Sequence, residues 1–535
     1  MRCSDRYDFI VIGAGSAGCV VASRLSESGK HSVLLVEAGG KDNSPWIHIP
    51  VGYAKTFTDP RVNWLSESKP EPNLNNRPMF QPRGKVLGGT SSINGMLYIR
   101  GNRADFDDWA QLGCEGWDYK SVLPYFRRAE DNERGADEFH GVGGPLHVSN
   151  QPNQALAELL LEACVQAGIP YNPDFNGVQQ DGAGYFQATL KAGRRWSTAT
   201  AYLEPARGRR NLTILTKAHA TRVVIENHKP VGVEFRSRNE ISRAYANREI
   251  IISGGAFGSP HLLLLSGVGP GQHLQDMGIP VLHELPGVGS NLQEHFGIPC
   301  AWRINRRLSM NHLRGSLPHQ LAAGLKYILH SSGPLAQTGI HVGVFFRSDP
   351  RLDRPDLEMI MRAYSTMGRT AKKLIPHPFP TFGVGVQHLR PEGRGTVRLK
   401  SRNPIVQPEI RFNFLRSAYD NQAMITGIRT ARKIAGQVAL KDLVVEEVLP
   451  GPSIATDEQL LEEIRSRGAA CLHPVGSCAM GVGNDAVVDS RLKVRGIVGL
   501  RVVDASIMPS NVRGHTNAPT IMIAEKASDM ILADN

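Results

Sequence analysis

Short apolar runs separated by glycines open the chain, and their pattern predicts a strand–helix–strand unit. The run of residues 8–12, DFIVI, is apolar after its first residue and largely β-branched, which is typical of a buried parallel strand. A helical pattern covers residues 19–25 and ends near Gly29, and residues 31–36 form a second strand-like run. Later, residues 395–400 alternate at period two like a half-exposed strand, and residues 457–467 have helical spacing after a Thr456 cap.

The turn between the first strand and the helix has the sequence GAGSAG over residues 13–18, a GxGxxG pattern. Gly13 permits the tight turn, Gly15 lets backbone amides approach a pyrophosphate, and Gly18 lets the helix pack on the strand. Glu37 ends the second strand, where an acid that binds ribose hydroxyls belongs. This order of strand, glycine turn, helix, strand and acid predicts an adenine dinucleotide site at a helix N-terminus. A turn that merely uses glycine is the plainer alternative. The motif does not separate FAD from NAD.

A second glycine-rich stretch, residues 83–98, favours the larger of these two cofactors. Its Gly-Gly-Thr-Ser-Ser core lets backbone lie against another part of a large, flat ligand, whereas a simple nicotinamide enzyme needs one phosphate loop. An ordinary irregular loop has the same composition.

Length and composition describe a globular protein with more than one unit. A chain of 535 residues exceeds what one hydrophobic core usually organises, so we expect two interleaved domains or about three separate ones. No apolar run is long enough for a spanning helix, and no basic-then-apolar leader opens the chain. Seven cysteines without a CxxC pair predict a reducing, cytoplasmic setting and no metal site.

The net charge of +11 raises the question of an acidic partner. Arg and Lys are spread along the chain rather than clustered with aromatics, so no nucleic acid partner is expected. A solvated surface is the plainer interpretation of this charge. The sharper one is peripheral attraction to the inner face of an anionic membrane, or to an acidic redox partner.

Four segments together resemble the glucose–methanol–choline (GMC) oxidoreductase family. Residues 84–107 and 255–269 resemble its two signatures, residues 285–295 (LPGVGSNLQEH) also look like that family, and residues 500–509 (LRVVDASIMP) resemble its closing FAD segment. The resemblance spans almost the whole chain and is nearest to the bacterial choline and alcohol dehydrogenase branch.

The resemblance implies an α/β fold, in which a doubly wound, Rossmann-type FAD domain is interleaved with a substrate domain built on an antiparallel sheet with helices. The FAD domain is expected to take residues 5–150, 213–300 and 465–535. The substrate domain is expected to take residues 151–212 and 301–464.

The motifs and the resemblance also imply the cofactor contacts. Certain choline oxidases carry a flavin-bonded histidine where this chain has Ile93, so non-covalent FAD is expected. The cofactor-binding residues are expected to be Gly13, Gly15, Ser16, Gly18, Glu37, Ala38, Leu87, Thr90, Asn94, Gly95, Met96, Leu97, Val223, Asp504, Ala505 and Thr516.

Two histidines near the C-terminal end match the active-site positions of the family. His473 stands in a His-Pro-x-Gly setting and matches the base, and His515 matches a second position that is Asn in the choline branch. The implied reaction is oxidation of a primary alcohol to an aldehyde. His473 would take the hydroxyl proton, His515 would orient the oxygen, and hydride would pass to flavin N5. Nearby, Arg513 could recognise an anionic substrate, but a salt bridge or solvent exposure is the plainer expectation.

Several alternatives stay open from the sequence. Electrons could pass to a quinone or soluble carrier, as expected of the branch, or to O₂ with release of H₂O₂ in an alcohol oxidase. A hydroxynitrile lyase of the same family fold would use the two histidines without net redox. A plain NAD enzyme is disfavoured by the second glycine-rich stretch, and a non-catalytic dinucleotide sensor by the two histidines.

Overall fold

Two large sheets organise the molecule. The computed structural model describes residues 6–238, 240–369 and 374–535. The first sheet runs, in spatial order, Leu212–Leu215, Val33–Val36, Arg6–Ile12, Glu240–Ile252, Lys229–Ser237 and Ala218–Glu226, with Leu500–Val502 also paired to Glu240–Ile252. The strands from 6–12, 33–36, 212–215, 240–252 and 500–502 pair in parallel, and the two remaining strands continue the sheet antiparallel.

The second sheet is antiparallel throughout. Its order is Val444–Leu449, Phe296–Ile304, Thr381–His388, Leu357–Arg362, Ile340–Phe346 and Gly182–Tyr185, with Ala469–Ala470 also paired to Phe296–Ile304. Its apolar residues alternate between two separate cores: Met359 and Met361 face one, whereas Ile360 faces the other.

Helices cover both sheets. The longer ones are Ser16–Ser26, Arg103–Gln111, Tyr119–Ala129, Ala155–Gln166, Gly255–Leu265, Leu317–His330, Ala418–Ala435, Asp457–Arg467 and Asn517–Asp534. Shorter α-helical turns lie at Pro45–His48, Tyr53–Thr56, Glu204–Ala206, Gly271–Asp276 and Val438–Lys441. No helix in the described ranges is long and apolar enough to cross a bilayer.

The last helix closes the first sheet's core. Asn517–Asp534 packs against Ser16–Ser26 and Tyr119–Ala129, and most of its residues are buried. Its Glu525 is fully buried and accepts hydrogen bonds from Arg24 Nε at 3.0 Å and from the Tyr202 hydroxyl at 2.8 Å. The helices Ser16–Ser26 and Asn517–Asp534 are therefore tied together beside the glycine-rich turn.

The predicted α/β fold class and the local elements are confirmed. The first strand is Arg6–Ile12, the helix after the glycine turn is Ser16–Ser26, and the second strand is Val33–Val36. The helix Asp457–Arg467 begins behind Thr456, whose side chain accepts from the Gln459 amide at 3.3 Å. The alternating run at 395–400 forms only the short strand Thr396–Arg398.

The predicted domain boundaries stay a prediction, but two strands bear on them. The strand Phe296–Ile304 lies wholly in the second sheet, although the expected boundary divides it at residue 300. Ala469–Ala470 pairs with that strand, although residues 465–535 are expected in the FAD domain.

Candidate active site

A cavity of about 430 Å³ lies where the carboxyl ends of the first sheet's parallel strands approach the second sheet. Ile12, Val36 and Ser253 contribute to its wall from the first sheet, and Ile340 and Ile360 from the second. Ligands of open α/β sheets bind at this edge, because loops and helix N-termini converge there.

The two glycine-rich stretches touch each other at this cavity. A Cβ on Gly89 would lie 2.6 Å from the Gly15 Cα, and a Cβ on Gly18 would lie 1.8 Å from the Gly13 carbonyl oxygen. Gly13 itself has φ +99°, and a Cβ there would lie 2.4 Å from the Ser253 carbonyl oxygen. Side chains at these positions would separate the loops, so glycine is required by packing as well as by backbone conformation.

Glu37 lies on the cavity wall with its carboxylate already hydrogen-bonded. Its Oε2 accepts from the Ala14 amide at 2.9 Å, and its Oε1 accepts from the Gly39 amide at 2.7 Å. Burial raises the pKa of the Glu37 carboxyl to about 7, although these two amides oppose the shift. The side chain therefore shapes the glycine turn as well as facing the cavity.

Most of the predicted cofactor residues line the cavity. They are Gly13, Gly15, Ser16, Glu37, Ala38, Thr90, Asn94, Gly95, Met96, Leu97, Asp504, Ala505 and Thr516.

Gly18, Leu87 and Val223 are not on the cavity wall. Val223 is 2% exposed and its amide donates to the Ser266 hydroxyl at 2.8 Å, so its surroundings are protein. Ala218, His219 and Ala220, earlier on the same strand, line the cavity instead.

The residues present fit a large polar ligand such as FAD. The Ser253 hydroxyl and the His261 Nε2 are buried on the cavity wall and have no hydrogen-bond partner among the described residues. Asp504 is held rigidly, because its Oδ2 accepts from Ser259 Oγ at 2.5 Å and from the Gly255 amide at 2.8 Å. Unpaired buried polar groups are costly, so a ligand that pairs with Ser253 and His261 would stabilise the site.

The two predicted catalytic histidines lie side by side on this wall. The ring centroids of His473 and His515 are 4.8 Å apart, with 30° between the ring planes. The backbone holds His473 in place, because its amide donates to Glu294 Oε1 at 2.6 Å and its carbonyl accepts from Asn511 Nδ2 at 3.0 Å. The fold thus brings together two histidines that lie in separate loops along the sequence.

A third histidine orients His473 and was not predicted. The Nδ1 of His295 lies 3.1 Å from the Nδ1 of His473. Burial holds the pKa of His473 well below its ordinary value, and the imidazoles of His515 and His295 lower it further. Burial also lowers the pKa of His295 to about 3. Both rings are therefore neutral at physiological pH, and one Nδ1 donates to the other.

Glu358 is the second residue that sequence reasoning missed. It is 0% exposed, and its Oε1 lies 3.0 Å from the His515 Nε2, which is an ion-pair distance. Neither carboxylate oxygen has a well-aligned hydrogen bond among the described residues. The available signal was a single acid in the otherwise apolar run of 357–361, which forms the strand Leu357–Arg362.

Arg513 forms a salt bridge, which was one of the two plainer expectations for it. Its Nη1 pairs with Asp105 Oδ1, and both side chains are buried. Its amide donates to the same carboxylate at 2.5 Å, which anchors the loop that carries His515.

A glycine turn of the dinucleotide-binding type and a pair of imidazoles thus line the same cavity. Two GMC oxidoreductase family models match the chain, the N-terminal one over residues 7–297 and the C-terminal one over residues 391–524. The chain therefore belongs to the GMC oxidoreductase family, as the resemblance predicted. Members of this family are FAD-dependent oxidoreductases.

Individual relatives cover almost the whole chain. It is 40% identical to an alcohol dehydrogenase [acceptor] of Pseudomonas putida, covering 98% of this chain and 96% of that one. It is 43% identical to an oxygen-dependent choline dehydrogenase of Rhizobium johnstonii, covering 98% and 95%. Among solved structures, pyridoxine 4-oxidase from Mesorbium loti matches with a TM-score of 0.88 at 27% identity, covering 98% of each chain.

Proposed function

We propose that this enzyme oxidises an apolar primary alcohol to its aldehyde, with non-covalent FAD, and passes the electrons to a quinone or another carrier. The observation that carries the proposal is the pair of imidazoles, His473 and His515, 4.8 Å apart on the wall of the cavity. Alcohol oxidation needs a group that takes the hydroxyl proton and a group that stabilises the resulting oxyanion. Bound FAD supplies the acceptor of the carbinol hydride.

His473 is the base in this proposal. Because burial keeps the imidazole neutral, it has a free lone pair to accept a proton. The Nδ1 contact with His295 turns the ring, so that Nδ1–H donates to His295 and Nε2 accepts the hydroxyl proton.

His515 holds the substrate oxygen in this proposal, and Glu358 orients the His515 ring. The buried Glu358 carboxylate is 3.0 Å from the His515 Nε2, which is an ion-pair distance. His515 would donate a hydrogen bond to the developing alkoxide. Glu358 is a positioning residue in this scheme, because it acts through His515 and does not line the cavity.

Neighbouring side chains favour a neutral, apolar alcohol. Ile340 and Ile360 line the cavity from the second sheet, and the Glu358 carboxylate is already engaged with His515. A cationic alcohol would need a carboxylate of its own. The names of the relatives include both an alcohol dehydrogenase [acceptor] and choline dehydrogenases, so the substrate test should include both classes.

Anaerobic mixing with a series of alcohols tests the proposal. Bleaching of the flavin absorbance by aliphatic or aromatic primary alcohols, with aldehyde formed in equal amount, is the expected result. Aldehyde and cyanide released from a cyanohydrin without bleaching would instead identify a hydroxynitrile lyase. Bleaching only by choline would overturn the substrate assignment.

Two further measurements address the cofactor and the acceptor. Acid precipitation should leave a colourless pellet and a yellow supernatant, because Ile93 cannot form a bond to the flavin; a yellow pellet would refute non-covalent binding. An oxygen electrode, with and without an artificial quinone dye, separates dehydrogenase from oxidase. Fast turnover that needs the dye is expected, and rapid O₂ consumption without dye would indicate an oxidase.

A further inference from the structure

The helix Leu317–His330 carries an apolar stripe that no described part of the chain covers. Leu317, Leu321, Leu325 and Ile328 recur at intervals of four, four and three residues, so they share one face. These residues and Leu329 form what we call the leucine face, and they are between 59% and 78% exposed. The buried residue of this helix is Ala323, on the opposite side. An ordinary surface helix turns its apolar side inward, so this helix has the reverse arrangement.

The charges around the leucine face point to an anionic partner. Residues 295–348 contain no Asp or Glu. Lys326 is exposed on the helix, beside the leucine face, and Arg306 and Arg307 are exposed in the segment before it. A second copy of the chain would bring like charges together, whereas a lipid surface with anionic headgroups would neutralise them.

We propose that the leucine face docks on an anionic lipid bilayer. The helix would lie in the plane of the surface, with the leucines at the boundary between headgroups and acyl chains and Lys326 among the headgroups. Lys326 would then be one place where the net charge of +11 meets an anionic surface. This docking concerns an interaction surface, and it does not depend on the proposed reaction.

The leucine face is connected to the cavity through a short segment. Ten residues beyond the helix, Ile340 lines the cavity. In between, the Thr338 carbonyl accepts a hydrogen bond from the Tyr53 hydroxyl at 2.9 Å, which ties this segment to the helical turn Tyr53–Thr56. Docking would therefore hold one wall of the cavity near the lipid, where apolar alcohols and quinones dissolve.

Vesicle flotation with the FAD-loaded full chain tests the proposal. Vesicles of phosphatidylcholine and phosphatidylglycerol, mixed two to one, are compared with vesicles of phosphatidylcholine alone at low and high salt. The informative variant is Leu321→Gln with Ile328→Gln. Its matched control is Ile241→Gln with Val498→Gln, which removes two comparably exposed apolar side chains elsewhere. Lys326→Gln tests the charge.

The expected result is flotation of the wild type and of the control with the anionic vesicles only, and a roughly tenfold smaller bound fraction for the leucine-face variant. Lys326→Gln should weaken binding and reduce its salt dependence. Equal flotation of the leucine-face variant and the control would overturn the proposal. So would light scattering that shows a wild-type oligomer dissociated by the same variant. Dye-linked activity is measured separately, in vesicle-free buffer. A protein that is inactive but still floats with the anionic vesicles would refute the proposed function and not the docking of the leucine face.

Discussion

Replacing Glu358 with Gln removes a charge from the active site while keeping nearly the same volume. In the wild type this carboxylate is 3.0 Å from the His515 imidazole and wholly buried. The carboxamide of the Glu358→Gln variant could still accept a hydrogen bond but would not place a negative charge beside the His515 ring. We therefore expect folding to change little and the rate of anaerobic flavin reduction to fall.

The magnitude follows from the role proposed for His515 as a hydrogen-bond donor to the oxyanion. Removal of one oxyanion donor in other enzymes costs about 10²–10³ in rate. Because the His515 ring remains, we expect about a 10²-fold loss, equivalent to about 2.7 kcal/mol.

Stopped-flow reduction across a range of pH is the assay. Glu358→Gln should lower the rate throughout the pH range, because no carboxylate then orients the His515 ring. Glu71→Gln is the matched control: Glu71 is also buried, accepts the Phe412 amide at 2.8 Å, and is not on the cavity wall. The control should retain the wild-type profile.

A double-variant cycle separates positioning from general damage. If Glu358 acts through His515, Glu358→Gln should have little additional effect in a His515→Asn background. A wild-type rate and profile for Glu358→Gln, or the same loss in both backgrounds, would refute this reasoning.

Four further outcomes are expected. His473→Ala should lower the reductive rate by about 10²–10⁴, and an unchanged rate would exclude His473 as the base. Burial depresses the pKa of His473, so the neutral form of the ring persists to lower pH. The acid limb of the kcat/KM profile should therefore lie below the ordinary histidine pKa. A limb near neutrality would contradict this. Gly89→Ala should abolish FAD retention on gel filtration, since its Cβ would lie 2.6 Å from Gly15, whereas Gly208→Ala, in open space, should retain FAD. Glu525→Ala should lower the free energy of unfolding, measured with denaturant, by about 3–5 kcal/mol, because the largely buried Arg24 loses its ion-pair partner. A change below about 1 kcal/mol would be inconsistent with the ion pair.

Local features of this protein were readable from the sequence, and long-range ones were not. The strand, glycine turn and helix of residues 6–26 follow from periodicity and from conformations that only glycine adopts readily. Glu37 sits at the end of its strand, so its position on the cavity wall follows from spacing alone.

Glu358 and His295 could not be predicted in the same way. Glu358 reaches His515 only because the strand Leu357–Arg362 has one particular register, in which Glu358 lies opposite Phe345 and Gln387. A shift by one residue would turn the carboxylate into the opposite core. Val223 was inferred by family analogy and stays a prediction, whereas the residues of its strand that line the cavity lie three to five places earlier.

The joining of the first helix to the last has a consequence for biosynthesis. The Ser16 hydroxyl at the glycine turn donates to Asn517 Oδ1 at 2.8 Å, and Asn517–Asp534 covers one side of Ser16–Ser26. Until residues 517–534 leave the ribosome, the nucleotide-binding turn has an exposed apolar flank and lacks His515 nearby. Nascent chains should therefore retain flavin only once residues 517–534 have packed against Ser16–Ser26.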